Sequence, residues 1–207
     1  MIVALEGGVC AGKSTVANLL ETQGVGRHVQ EYAAQIPYSA QRTIFELEPV
    51  ARAAGFLLSD SGRLNEIPQA ELKILDRSCL TVFAFEYACI RLGMNELELP
   101  LLDLVETYAV IVPNCVIFLD ITDNVREKRL AVRGKRFIPI LADRTFNKYF
   151  KEFFEAMHNY LDVVFVGTNA QSALEVTEIC KKVLSSPRPD FASLQDLRKA
   201  LGHVFGG

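Results

Sequence analysis

Apolar and polar positions along the 207 residues alternate between two periods. Short runs of consecutive apolar, β-branched-rich residues read as buried strands, and between them lie longer stretches with helical spacing. "IVALE" (2–6) predicts a first strand, and Val16, Ala17, Leu19 and Leu20 a helix opening at Lys13. "HVQEY" (28–32) predicts a short second strand, and 40–66 a helix interrupted near Pro49, which suits the first turn of a new segment. "ELKILD" (71–76) is the third strand, followed by a helix over 79–92 that stops at Gly93 and another over 96–110 with Pro100 near its start. "CVIFLDI" (115–121) is the fourth strand, leading to a charged helix at 123–133, a basic loop at 134–143 and a long amphipathic helix through Tyr160. "VVFVG" (163–167) is the fifth. A helix over 170–184 follows, with Ala173, Leu174, Val176, Thr177, Cys180 and Val183 mostly on one side.

Strands each followed by a helix imply an α/β fold, with a five-stranded parallel sheet flanked by helices on both faces. Composition shifts only at "SSPRPD" (185–190), a linker or sharp turn. Residues 1–186 therefore read as one domain, and 187–207 as a linker and short amphipathic helix. In that helix Ser193 is the N-cap, and Leu194, Leu197, Leu201 and Val204 form one stripe. The stripe is expected to dock on the domain, with a second subunit as the alternative.

Half of the residues are hydrophobic, which is ample for a core, and the formal net charge is −3. An overall basic footprint for nucleic acid is absent, so no nucleic-acid partner is expected. No run approaches the roughly 18 apolar residues of a membrane span, and no leader precedes the first strand, so no membrane partner is expected either. The five cysteines (10, 79, 89, 115 and 180) stand singly, which points to reduced thiols and a cytoplasmic setting.

Between the first strand and first helix stands "GGVCAGKST" (7–15). Gly7, Gly12, Lys13 and Ser14 satisfy G-x-x-x-x-G-K-[ST] in the strand–loop–helix context that this pattern requires. Glycines let the backbone of Gly7, Gly8, Val9, Cys10, Ala11, Gly12, Lys13, Ser14 and Thr15 curl so that successive N–H groups point at a phosphate. Lys13 can reach the outer phosphates, and the Ser14 hydroxyl can ligate Mg²⁺. ATP or GTP binding follows. Cys10 reads as a small residue at a variable loop position.

Three further features point to phosphoryl transfer onto a small molecule. The third strand ends in Asp76-Arg77, where an acid can hold Mg²⁺ and an arginine can reach an acceptor or a phosphate. "REKRLAVRGKRF" (126–137) gathers Arg129, Arg133, Lys135 and Arg136 on a helix end and loop that could close as a lid, about 133–143. Glu31, at the end of the second strand, could take a proton from an acceptor hydroxyl or bind that hydroxyl in place. Against a GTPase-type switch, no N-K-x-D reads guanine, and "LDRS" stands where D-x-x-G would be.

The order of these parts, with "VIFLDITDNVREKRLAVRGK" and "DRTFNKYFKEFFEAMHNYL", resembles the thymidylate kinase and deoxynucleoside kinase superfamily over about residues 1–184. The resemblance implies a P-loop kinase fold with a lid, ATP and Mg²⁺ as donor and cofactor, and a small-molecule phosphoryl acceptor: a nucleoside monophosphate or a nucleoside. It also implies catalytic roles for Lys13, Glu31, Asp76, Arg77, Arg133 and Arg136, and Mg²⁺ on Ser14 and Asp76. Arg129 would stack near the adenine, which Gly167, Thr168 and Asn169 would flank from the other side. Arg77 and Glu31 would meet the acceptor, with Phe56 and Tyr87 as stacking candidates that also suit core packing. A homodimer is an arrangement common in that superfamily. Thymidylate kinases usually carry Arg-Glu-Pro where this chain has Gln30-Glu31-Tyr32. Deoxynucleoside kinases use a glutamate there as base, but usually begin the third-strand motif with Glu rather than Asp76. "QEYAAQIP" is similar to the "EYAR" segment of ribosylnicotinamide-type kinases, a further alternative beside kinases of other small molecules.

Overall fold

The computed structural model describes residues 1–63, 71–96, 100–108, 110–133, 138–186 and 193–206. Five strands form one parallel sheet in the order β2-β3-β1-β4-β5: β1 (Ile2–Glu6), β2 (Arg27–Val29), β3 (Lys73–Asp76), β4 (Cys115–Asp120) and β5 (Val163–Gly167). Strand alternation feeds two cores. Ala4, Val116 and Phe118 face one layer, while Val3, Leu5, Ile117 and Leu119 face the other. The second layer is closed by α1 (Lys13–Thr22) and α8 (Ala173–Ser185). The first is built by α3 (Pro49–Gly62), α4 (Cys79–Arg91), α5 (Pro100–Thr107), α7 (Arg144–Met157) and α9 (Leu194–Gly206). Of two further helices, α2 (Tyr38–Phe45) packs on α3, and α6 (Asp123–Arg133) follows β4.

Local chemistry explains the boundaries. Pro49 sits in the first turn of α3, so the expected break falls there. Residues 64–70, into which the helix over 40–66 was expected to run, lie outside the described residues, as do 97–99 ahead of α5. Ser78 caps α4 by accepting from Leu80 N, and Gly93 ends that region at φ 70°. Asp143 caps α7, and Ser172 forms a capping box with Glu175 at the start of α8.

Three expectations are corrected. Strand β2 closes at Val29 rather than running to Tyr32. The chain leaves the sheet there, and Tyr32, 4% exposed, opens a 3₁₀ turn (Tyr32–Gln35) against the first core. Helix α7 ends at Met157, three residues before Tyr160. On α8 the buried stripe is Val176, Thr177 and Cys180, while Leu174 is exposed.

The C-terminal stripe packs against its own chain. Leu197, Ala200 and Leu201 are fully buried on α9, against α5 and α7. Phe205 meets Tyr87 and Phe153, and Arg198 pairs with Asp103 at 2.7 Å. Ser193 Oγ accepts from Asp196 N, the capping bond expected of it. Among the described residues no helix is long and apolar enough to cross a membrane, and all five cysteines are free thiols.

Candidate active site

The loop between β1 and α1 has the backbone that its glycines permit. Gly7 sits at φ 133°, where an added Cβ would lie 2.5 Å from the Leu119 carbonyl oxygen. Gly12, at φ 99°, turns the chain into α1. Cys10 holds φ 62°, a left-handed conformation that costs a side-chain-bearing residue roughly 1–2 kcal/mol. Lys13 is 6% exposed, and its Nζ donates to the Gly7 and Gly8 carbonyls at 3.0 and 2.9 Å. Burial, followed by the nearby Arg77 charge, lowers its pKa to about 8.

Ser14 Oγ donates to Asp76 Oδ2 at 2.5 Å, which ties the start of α1 to the end of β3. The other Asp76 oxygen, Oδ1, is buried without a hydrogen-bond partner. A hydroxyl beside an underused carboxylate is a hard-oxygen set, which fits Mg²⁺, an ion that keeps several waters and takes phosphate oxygens. Among the described residues no cluster of three or more His, Cys, Asp or Glu could hold a metal unaided.

Arg77 follows directly, also in the left-handed region at φ 66°. Its Nε lies 2.8 Å from Glu31 Oε1, so the ends of β2 and β3 are joined by an ion pair. Two buried side chains hold this corner. Glu6 accepts from Ser78 N and Ser78 Oγ, both at 2.7 Å, and from Thr81 Oγ1. Burial pushes the Glu6 carboxyl up, while the Arg77 charge pulls it back. Arg63, at the end of α3, donates to the carbonyls of Gln30 (2.9 Å), Asp76 (3.2 Å) and Arg77, and is paired with Asp60. One guanidinium thus clasps the residue before Glu31 and both members of the Asp76-Arg77 pair.

Two cavities meet at this corner. The first, of about 450 Å³, is lined by the loop from Val9 to Thr15 together with Arg129, Val132, Arg133, Thr168 and Gln171. Arg129 bridges its two walls, donating to the Cys10 carbonyl at 3.1 Å and the Thr168 carbonyl at 2.9 Å. Arg133 stands exposed at the rim. The second, of about 70 Å³, is walled by Tyr32, Phe45, Phe56, Phe85, Phe146 and Phe150. Val9, Glu31 and Arg77 line both.

The residues singled out in the sequence divide accordingly. Val9 to Thr15 of the loop, Arg129 and Thr168 gather at the first cavity, Gly8 lines the second, and Gly167 closes β5. Asn169 Oδ1 accepts from Thr122 N at 2.7 Å, which pins the loop after β5 to the loop after β4. Phe56 lines the second cavity and packs on Phe45, ring centroids 5.1 Å apart. Tyr87 lies on the far side of α4, against Phe153 and Phe205, and does not line that cavity. Lys135 and Arg136 lie outside the described residues.

Sequence reading passed over Glu6, Arg63, Thr81, Phe85, Glu86 and Asn147. Only Glu6 carried a local signal: a lone carboxylate closing a strand that is otherwise wholly apolar. The others come together through tertiary folding. Glu86 is paired bidentately with Arg52 at 2.8 and 2.6 Å, and both side chains are buried.

A parallel sheet of this order, with the glycine loop after β1 and Ser14 against Asp76, defines a P-loop nucleotide-binding protein. Residues 2–143 match the family model described as an AAA domain, and the chain belongs to that family. No curated protein sequence is significantly similar. Among solved structures, a deoxyadenosine kinase from M. mycoides aligns with a TM-score of 0.72 at 20% identity, over 90% of this chain and 100% of that one. A thymidylate kinase from Candida albicans gives 0.69 at 15%, over 93% and 97%. A thymidylate kinase from Ehrlichia chaffeensis gives 0.58 at 17%, over 89% and 98%. At these identities the likeness is one of fold.

Proposed function

We propose that this protein is a phosphotransferase that moves the γ-phosphoryl group of ATP, with Mg²⁺, onto a nucleoside or nucleoside monophosphate. The observation that carries this reading is the meeting of a phosphate-loop cavity and an aromatic cavity at one Glu31–Arg77 ion pair. A hydrolase or a switch needs only the first cavity; a transferase needs the second as well. The fold neighbours are kinases of this kind: the deoxyadenosine kinase was solved with dATP, and with dCMP and dCDP.

In this reading the loop N–H groups of residues 7–15 and Lys13 hold the donor phosphates, positioning them and spreading their charge. Ser14 and Asp76 hold Mg²⁺, which would neutralise phosphate oxygens as charge shifts. Arg129 and the loop Gly167, Thr168 and Asn169 flank the donor base. Arg133 and Arg136 belong to a lid over about 133–143 that covers the transferring group and excludes water. Arg77 and Glu31 face the acceptor, and Phe56 offers a ring for its base. Tyr87 backs the wall of that cavity and is assigned no contact with the acceptor. The kinase domain is residues 1–186, with 187–207 as a linker and docked helix. The protein works in the cytoplasm without a nucleic-acid or membrane partner, and a homodimer is its expected assembly.

Replacing Lys13 by Met tests the donor assignment. Transfer should fall by about 10²–10³-fold while the melting temperature stays near wild type, because the lysine holds phosphate rather than the core. Transfer at near the wild-type rate would sink the assignment.

A further inference from the structure

The β2–β3 ladder stops one step short of the site. Its last paired residues are Val29 and Leu75, so Gln30 and Asp76 stand next in register, and Glu31 and Arg77 after them. Backbone carbonyls that leave a ladder inside a protein need other donors. Arg63 supplies them. Its Nη1 bridges the Gln30 and Asp76 carbonyls at 2.9 and 3.2 Å, which puts a side chain where the next strand-to-strand link would fall. Nη2 donates to the Arg77 carbonyl, and Asp60 Oδ1 takes the remaining N–H groups, from Nε at 2.6 Å and Nη2 at 2.5 Å. All five donors of the fork are thereby engaged. The Arg63 and Asp60 side chains are each 1% exposed, and the guanidinium carbon lies 5.3 Å from the Tyr32 ring centroid. Ser14 holds the Asp76 carboxylate and Glu6 holds Ser78, but both act on the β3 end alone. Arg63 joins that end to β2.

We infer that Arg63 is a positioning residue for phosphoryl transfer: its planar fork sets the spacing of the β2 and β3 ends, and with it the placement of Glu31 and Arg77 beside Asp76. This role rests on the kinase reading above and deepens it by naming what holds the two cavities in line. Arg77 sits at φ 66°, a conformation that a residue with a side chain keeps only when its surroundings hold it there. Arg63 grips that residue's carbonyl, while Glu6 fixes the next residue, Ser78, from β1. Without the fork the Arg77 peptide is released, and the Glu31–Arg77 pair, 2.8 Å apart, moves with it. Arg63 itself lines neither cavity. Its loss leaves both ligands their contacts while misaligning the groups between them, and a misplacement of about 1 Å can cost about 100-fold in rate.

Geometry makes arginine the residue for this task. A lysine ammonium would keep the charge opposite Asp60, but it carries its three donors on one nitrogen. It cannot bridge three carbonyls and a carboxylate set around a plane. The ion pair with Asp60 balances the guanidinium locally, so the fork acts on the site through backbone position and not through its charge.

The test uses the full-length protein with Mg²⁺, γ-labelled ATP and a panel of nucleosides and their 5′-monophosphates. Arg63→Lys should lower kcat with the best acceptor by about 100-fold, while KM for ATP and for that acceptor each move less than about threefold. The double replacement Arg63→Gln with Asp60→Asn removes the buried pair together, leaves no lone charge, and should show the same split. Leu197→Ala, at a fully buried position on α9, controls for stability alone: its melting temperature should fall, and its kcat, measured well below that temperature, should not. A kcat within about threefold of wild type in either Arg63 variant, a loss carried by KM, or an equal loss in Leu197→Ala would overturn the role and leave the kinase reading standing. Labelled phosphate released only to water by the wild-type protein, whatever compound is offered, would bring down both.

Discussion

The two halves of the site are built on opposite principles. On the proposed reading, the donor half is the open cavity of about 450 Å³ lined by Lys13 and Ser14, with Asp76 hydrogen-bonded to Ser14 and a loop conformation that strains Cys10. The acceptor half is about 70 Å³, smaller than the several hundred Å³ typical of ligand pockets, and its walls are aromatic rings packed on one another. Phosphates are recognised through charge and backbone geometry, which a short contiguous stretch can provide and hold ready. A nucleoside is recognised through faces, and those faces stay together in its absence because they are also core. If the proposed reading holds, acceptor binding has to part packed rings, whereas donor binding enters the larger cavity.

This contrast can be broken most forcefully at the Arg52–Glu86 pair. Arg52→Met removes both charge-assisted hydrogen bonds of a buried ion pair and should cost about 3–5 kcal/mol of stability, read from urea unfolding. ATP affinity, measured at a temperature where the variant is folded, should be unchanged. A parallel loss of ATP affinity would mean that the halves are not separable. Asp76→Asn attacks the other side. It should lower kcat by about 10²–10³-fold and weaken Mg²⁺ dependence, while nucleoside KM moves little.

A gentler probe is pH. Burial holds the Lys13 pKa at about 8, below the ordinary lysine value, so the unliganded protein sheds that proton as pH rises through 8. Phosphates favour the charged form, so ATP binding above pH 8 takes up a proton. Affinity for ATP should then weaken by up to about tenfold per pH unit between 8 and 10, with no matching change in nucleoside binding. Calorimetry in buffers of different ionisation enthalpy checks the proton uptake directly.

Legibility in the sequence follows the same divide. Gly7 to Thr15 could be read because its chemistry is local: strand, glycines, lysine and hydroxyl in one unbroken run. The five strands were legible for the same reason, each a short apolar run, although β2 ended early once Tyr32 turned into the core. The acceptor wall drew on Tyr32, Phe45, Phe56, Phe85, Phe146 and Phe150, which span more than a hundred positions and share no spacing. Phe85 and Tyr87 show the difficulty. Two residues apart on one helix, they point about 200° apart, so one lines the cavity and the other faces α9. Arg63 was invisible because its three carbonyl partners are set by the folded corner and not by any side-chain pattern.

In the proposed reaction a phosphoryl group leaves ATP at Lys13 and crosses the Glu31–Arg77 pair to a small molecule. Its most direct test is product stoichiometry: ADP, inorganic phosphate and phosphorylated acceptor counted together from γ-labelled ATP, with and without a nucleoside. Nucleoside should raise ADP formation, and each added ADP should be matched by one phosphorylated nucleoside. ADP accompanied only by inorganic phosphate, whatever nucleoside or monophosphate is supplied, would contradict it.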